Sequence, residues 1–396
     1  MTARIPFKER GGALRGLLDL ATGCYPAFLF GGSCKAALPV FHFHDVTEAW
    51  LEPRLQYLAE NRYRSVTCDE IARFVIDGVS PGPRIVGLTF DDAWTSMWTV
   101  AMPLLRRFGL RAIVFAIPDR ISEAASVRPT IDDVSRTEAL RHGDTELLRH
   151  KDPESLSHEE RRNDGPPFAT WPELRAMHDS GVVDIQSHTR SHAMIFGHHT
   201  VTGFVTPDYE REPMLNRPLT SEAERAFLGP DALGTPLYLR RSRMSDARRF
   251  LPDPSAAERC RAHVARHGGR AFFHRPGWRS ELETMARAGR GHFEDDATRI
   301  TVIREELAQG RAMLNDQLRT TAVRHVALPW GIAGDIARRA VAETGHAIAF
   351  AERPLRSRLV RAGDDRYGLM RLNGKFLTCL PGRGGRQWFM TTVAND

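Results

Sequence analysis

At 396 residues, 42% of them hydrophobic and 26% charged, the chain can bury a large core and has the make-up of a soluble globular protein, which excludes a fibrous or low-complexity chain. The net charge of +6 does not indicate a nucleic-acid partner, because Lys8, Lys35, Lys151 and Lys375 are its only lysines and the arginines that supply the rest are dispersed among acids. Five cysteines without C-x-x-C spacing do not make a disulfide framework and fit a reducing compartment.

Residues 1–36 read as an amino-terminal extension. Asp19, Gly23 and Pro26 interrupt its apolar positions, so no signal-peptide core is present, and no run is long enough to span a bilayer. A cytoplasmic location is expected. Residues 17–30 are the stretch suited to peripheral membrane contact, although packing on the protein's own surface is the more ordinary reading.

Residues 38–44, L-P-V-F-H-F-H, form the opening strand, with His44 at its end and His42 assigned to the opposite face. A helix over 48–61, a short strand over 65–67 and a helix over 69–76 follow, and Ser80-Pro81-Gly82-Pro83 turns the chain. Residues 85–90 are apolar without alternation, as in a strand covered on both faces, and end in Asp91 and Asp92. Trp94, Met97, Trp98, Ala101, Leu104, Leu105 and Phe108 recur at helical spacing before Gly109, and a strand follows over 113–117. A strand, helix and strand in this order imply a parallel sheet with a right-handed crossover. Ligands bind beyond the carboxyl ends of such strands, where the two aspartates stand. Adjacent buried carboxylates call for a positive partner.

Residues 122–167 are charge-rich and read as an excursion at the ligand end of the sheet. A helix over 171–179, whose His178 is assigned no ligand role, leads to a strand over 182–185 and then to S-H-T-R-S-H. His188 and His192 face one point if a helical turn begins after the strand. One carboxylate and two imidazoles make the three-ligand set of a catalytic divalent metal.

The span 204–297 contains Pro207, Pro213, Pro218, Pro230, Pro236, Pro252, Pro254 and Pro276, so long regular elements are not expected in it apart from a helix near 254–267. Its L-Y-L-R-R-S-R-M stretch is a candidate anion contact, with a solvated structural loop as the plain alternative. A helix over 298–317, a strand over 323–328, the turn Pro329-Trp330-Gly331, a helix over 335–344 and strands over 347–351 and 367–372 complete the chain.

T-F-D-D followed about ninety residues later by H-T-x-x-H resembles the first two metal motifs of the NodB-type polysaccharide deacetylases, carbohydrate esterase family four. The resemblance implies Asp91 as catalytic base and Asp92, His188 and His192 as metal ligands. His44 resembles the histidine that ends a Tyr-His strand in the circularly permuted branch of that family, with Phe43 in place of the Tyr, and is implied as general acid. V-R-H-V-A-L-P-W-G is similar to the substrate-groove motif, which implies substrate contacts for Pro329, Trp330 and Gly331. F-F-H-R-P-G-W-R at 272–279 imitates the third motif by coincidence. The arginine that holds the base in the family has no counterpart before the groove motif, so Arg371, on the strand over 367–372 and grouped with the substrate-binding residues, is taken as its substitute. Ala93 replaces the usual Gly.

The implied fold is a distorted seven-stranded (β/α) barrel over residues 37–396, with insertions at about 122–167 and 204–297. The implied activity is metal-dependent N-deacetylation of an N-acetylated amino sugar, in a cell-surface glycan or its nucleotide- or lipid-linked precursor. Zinc is the leading metal, with nickel, cobalt or iron as alternatives. Three other readings stay open: hydrolysis of another linear or cyclic amide, iron-dependent oxygenation, and sugar binding by a degenerate site.

Overall fold

A strand that is apolar on both faces needs cover on both, and Ile85–Asp92, buried at all eight positions, receives it. The computed structural model describes residues 24–34, 37–133, 167–287, 291–352 and 357–387. Most of the expected extension over 1–36 and of the excursion over 122–167 lies outside the described residues.

In chain order the elements are β1 (Val40–Phe43), α1 (Glu48–Glu60), β2 (Arg64–Ser65), α2 (Cys68–Asp77), β3 (Ile85–Asp92), α3 (Met102–Arg107), β4 (Ala112–Ala116), α4 (Trp171–Asp179) and β5 (Val183–Ser187). Six strands follow: β6 (Met194–Phe204), β7 (Leu219–Ser221), β8 (Ala226–Phe227), β9 (Pro236–Ser242), β10 (Phe250–Leu251) and, after the helices α5 (Pro254–Arg266) and α6 (Trp278–Arg287), β11 (His292–Phe293). The chain closes with α7 (Asp296–Gln317), β12 (Val326–Ala327), α8 (Asp335–Glu343), β13 (Ala349–Phe350) and β14 (Leu372–Asn373).

Seven strands lie side by side in the order β13, β12, β5, β4, β3, β1, β14, every pairing parallel, and β2 adds to β3. The two ends of this path meet. The Leu369 N–H, just ahead of β14, donates to the Ala349 carbonyl, and the Leu369 carbonyl accepts from the Ala351 N–H, each at 3.0 Å. This is the expected distorted (β/α) barrel. Its interior is filled by Leu38, Val40, Ile113, Phe115, Ala327 and Phe350 among others.

Most expected elements stand within a few residues of their place, and the departures have identifiable causes. The helix expected over 94–108 is broken, with a π turn over Met97–Ala101 ahead of α3. Pro103 has no N–H for the bond to residue 99, so the ladder shifts register there. The strand expected over 367–372 is reduced to β14, and residue 371 lies between two short pairings.

Cα packing divides the chain into two compact units; among the described residues one comprises 24–191, 306–331 and 340–387, the other 192–305 and 332–339. The second unit begins ahead of the expected boundary at 204 because β6 pairs antiparallel with β9. It also corrects the expectation of little regular structure. Its prolines sit where regular elements tolerate them: Pro236 is the first residue of β9, Pro254 the first of α5, and Pro276 lies in the turn before α6. Phe196, Val205, Tyr209, Leu228, Tyr238 and Phe250 form one of its apolar clusters, and Phe204, Cys260, Val264, Phe272, Leu282 and Ala286 another. The Arg-rich stretch is largely used internally. Arg243, 1% exposed, donates to both carboxylate oxygens of Glu294 at 2.5 and 2.8 Å, and Arg240 pairs with Glu212 at 2.7 Å. Asp246, two residues past this stretch, accepts from the N–H groups of Ile336 and Ala337 at 2.7 and 3.0 Å and so caps α8.

Candidate metal centre and active site

Asp91 and Asp92 are the last residues of β3, buried to 4% and 3% exposure. The chain leaves the strand through two consecutive left-handed residues, Asp92 at φ 70° and Ala93 at φ 57°. This conformation explains why glycine suits position 93, and Ala93 holds it under strain. The two carboxylates then meet different surroundings. Asp91 accepts from Arg371 through both oxygens, Nη1 to Oδ1 at 2.6 Å and Nη2 to Oδ2 at 2.7 Å. Burial alone would raise the Asp91 carboxyl, but Arg371, with His188 behind it, holds it far below the usual carboxylate range. Burial raises the Asp92 carboxyl, and its Oδ2 accepts from the Trp94 indole N–H at 3.0 Å.

Arg371 reaches Asp91 from the barrel interior. Its guanidinium carbon lies 5.5 Å from the ring centroids of both Phe115 and Phe350, and its Nη1 also donates to the Thr89 hydroxyl at 2.9 Å. The arginine taken as substitute for the family's base-holding arginine is thus joined to Asp91, the residue taken as the base.

His188 follows β5 directly. Its ring Nδ1 lies 2.7 Å from the Ala327 carbonyl, and a carbonyl can only accept, so Nδ1 carries the hydrogen and Nε2 is left as the ligating nitrogen. That Nε2 stands 3.4 Å from Asp92 Oδ1. One ligand atom each of Asp92, His188 and His192 lies within 4.8 Å of the others, the one such group of three or more His, Cys, Asp or Glu among the described residues. The helical turn expected to unite the histidines is absent. Thr189 at φ 63° and His192 at φ 56° bend a loop instead, and the same convergence follows from left-handed residues. Two neutral-capable imidazoles and a buried carboxylate in this compass fit a divalent cation, whose charge would offset the cost of burying Asp92.

His44 follows β1 and is solvent-exposed, next to β3 in the sheet register. When protonated it lowers the carboxyls of both Asp91 and Asp92, which places it within electrostatic reach of the pair. His42 is not on the opposite face. Residues two apart on a strand share a face, and the His42 and His44 rings lie 5.7 Å apart, edge to face. Burial, reinforced by Arg371, lowers His42 to about 3, so it is neutral near pH 7.

Pro329–Gly331 forms a single turn directly after β12, with Trp330 at φ 54° and Gly331 at φ 68°. A Cβ on Gly331 would stand 2.4 Å from Glu352 Cγ, so the turn closes onto the segment after β13 only with glycine there. Pro329 is buried and Trp330 half-buried, at the same end of the barrel as the aspartates.

Two groups escaped the sequence reading. Trp94, two residues past the aspartate pair, was assigned only to the apolar stripe of a helix, yet its N–H serves Asp92. Arg128 donates to Glu173 at 2.6 and 2.7 Å and to the Phe168 carbonyl at 2.9 Å, fastening the segment beyond β4 to the start of α4. The capping box Thr170 to Glu173 was the available signal.

The barrel and its ends thus define an α/β protein with a candidate divalent-metal centre at the carboxyl ends of its strands. Residues 78–216, which carry Asp91, Asp92, His188 and His192, match the sequence profile described as polysaccharide deacetylase. YxkH of Bacillus subtilis (strain 168), whose own naming as a polysaccharide deacetylase is provisional, is 24% identical over 116 residues, 27% of this chain and 40% of that protein. The chain therefore spans less than half the length of that curated relative. Similar solved structures include a de-N-acetylase from Aggregatibacter actinomycetemcomitans (15% identity, TM-score 0.44, 85% of this chain and 95% of that one). The BpsB deacetylase domain from Bordetella bronchiseptica is similar at 17% identity and TM-score 0.49, with 85% and 95% covered. IcaB from Ammonifex degensii is similar at 14% identity and TM-score 0.45, with 86% and 94% covered.

Proposed function

We propose that the protein is a metal-dependent N-deacetylase that hydrolyses the acetamide of an N-acetylated amino sugar in a glycan or a glycan precursor. The observation that carries this reading is the convergence of Asp92, His188 and His192 beside a second carboxylate that Arg371 keeps ionised. A divalent cation held by these three residues, zinc foremost, would supply Lewis acidity to the hydrolysis.

The chain's own groups supply the proton transfers. Asp91 accepts a proton as water attacks the acetyl carbonyl. The Arg371 pair keeps it ionised and fixes its direction, at the cost of basicity, so the proton is passed on readily. His44 delivers a proton to the leaving amine, and acetate and a free amino sugar result. Pro329, Trp330 and Gly331 line the acyl side. In this reading His44 precedes the aspartates in the chain, as in the permuted branch, and the substrate is a cytoplasmic glycan precursor. No helix among the described residues is long and apolar enough to cross a membrane.

Acetate release from N-acetylglucosamine oligomers, with and without chelator and re-added Zn²⁺, tests the proposal. Turnover that is lost in Asp91→Asn and in Asp92→Ala supports it. Stoichiometric ligand binding without acetate would favour a sugar-binding protein. Turnover of a different linear or cyclic amide would move the substrate class and leave the site.

A further inference from the structure

The loop that carries both candidate metal histidines has little local reason to hold its shape. It is bounded by left-handed Thr189 and His192 and contains no helical or strand hydrogen bonds of its own. Its backbone groups are satisfied from elsewhere. The His188 N–H donates to the Ala116 carbonyl of β4 at 2.8 Å, and the Arg190 carbonyl accepts from the Asp119 N–H at 3.1 Å. The centre of the loop is held by α7, which lies more than a hundred residues further along the chain.

Three bonds run between this loop and one residue of that helix. The Arg190 N–H donates to the Glu306 carbonyl at 3.0 Å, and the Glu306 carboxylate Oε2 accepts from the Ser191 N–H at 3.0 Å and the Ser191 hydroxyl at 2.8 Å. Glu306 is 2% exposed and Ser191 fully buried, so water does not compete for these bonds. One helical turn further on, Gly310 removes the obstacle to contact. A Cβ there would stand 2.7 Å from the Arg190 nitrogen and 2.8 Å from the Thr189 carbonyl carbon, backbone atoms that cannot swing aside. The helix and the loop therefore touch backbone to backbone, and Glu306 grips the residue immediately before His192.

We propose that Glu306 and Gly310 are positioning residues of the metal centre: they template the loop between His188 and His192 so that both imidazoles face Asp92 before a cation arrives. A ligand loop held in its binding shape spends less of the binding energy on ordering. Partners that orient metal ligands typically contribute about 10- to 100-fold in metal affinity. This inference rests on the metal-centre reading above.

The test is a competition titration of the full chain with Zn²⁺ and a chromophoric chelator, alongside urea unfolding of the metal-free protein. Wild type should bind one ion per chain. Glu306→Ala should weaken Zn²⁺ about 10- to 100-fold, Glu306→Gln, whose amide oxygen can still accept from Ser191, should recover the larger part, and Ser191→Ala should fall between. Gly310→Ala provides a second route should Glu306→Ala not fold, and should weaken Zn²⁺ by displacing the loop. Zn²⁺ affinity within threefold of wild type in Glu306→Ala, or in Gly310→Ala if that is the variant that folds, overturns the proposal whatever happens to stability. Wild type that takes up no Zn²⁺ overturns the metal-centre reading itself, so the two failures are distinguishable.

Discussion

Replacing Arg371 by Met keeps most of its volume between Phe115 and Phe350 and removes its charge, which leaves Asp91 buried without its paired cation. The side chains of the pair are 10% and 5% exposed and joined by two short bonds, so screening by solvent is slight. Removing one member of such a pair costs about 3–5 kcal/mol, because an uncompensated charge remains. The penalty should depend on pH. In wild type the folded-state carboxyl lies below its unfolded value of about 3.9, so its contribution is complete above that value and lost as pH falls through the folded one. In Arg371→Met the desolvation, opposed now only by His188 and His44, raises the carboxyl above about 3.9. Protonation then relieves the buried charge, and the penalty shrinks as pH falls through the raised value. Guanidinium unfolding of the metal-free protein by circular dichroism at pH 8 and pH 5 reads both effects, with Asp91→Asn marking the transition that belongs to the barrel. A loss below about 1 kcal/mol at pH 8, or the same loss at both pH values, would refute the reasoning.

Two further outcomes follow from buried groups. Burial lowers His346 to about 3, so the folded protein binds fewer protons there than the unfolded chain; stability should be full above the unfolded value near 6.5 and fall on acidification towards 3. The slope attributable to it approaches about 1.4 kcal/mol per pH unit, and a His346→Gln variant should lack it in urea titrations between pH 6.5 and 4; coincident slopes would remove the assignment. Ala93→Gly should raise the unfolding free energy by about 1 kcal/mol by relieving a left-handed alanine, and a lower melting temperature in scanning calorimetry would contradict this.

What could be read along the chain was what neighbours in sequence determine. The apolar run ending in Asp91 and Asp92 and the helical stripe ahead of Gly109 are local patterns that fell on a strand and on a broken helix, and the spacing of His188 and His192 pointed to their convergence though not to the loop that achieves it. What could not be read was determined across the fold. The hydrogen on His188 is set by a carbonyl of β12, which leaves no mark in the surrounding sequence, whereas Arg371 was found for Asp91 only through the family resemblance and not from any local pattern. The misassignment of His42 was of another kind, a slip in strand periodicity that alternate positions should have prevented. Proline content misled over 204–297 because counting prolines says nothing of whether they sit at the ends of elements or inside them.

The seam of the barrel has a consequence for synthesis. The guanidinium that neutralises Asp91 is attached 280 residues downstream of it, so a ribosome has delivered both aspartates and both histidines long before their counterion emerges. The nascent chain can pair β1, β3, β4 and β5 early, but ionised Asp91 has no cause to stay buried until Arg371 arrives. Any chain broken off before residue 371 therefore carries both aspartates without the charge that neutralises the first of them.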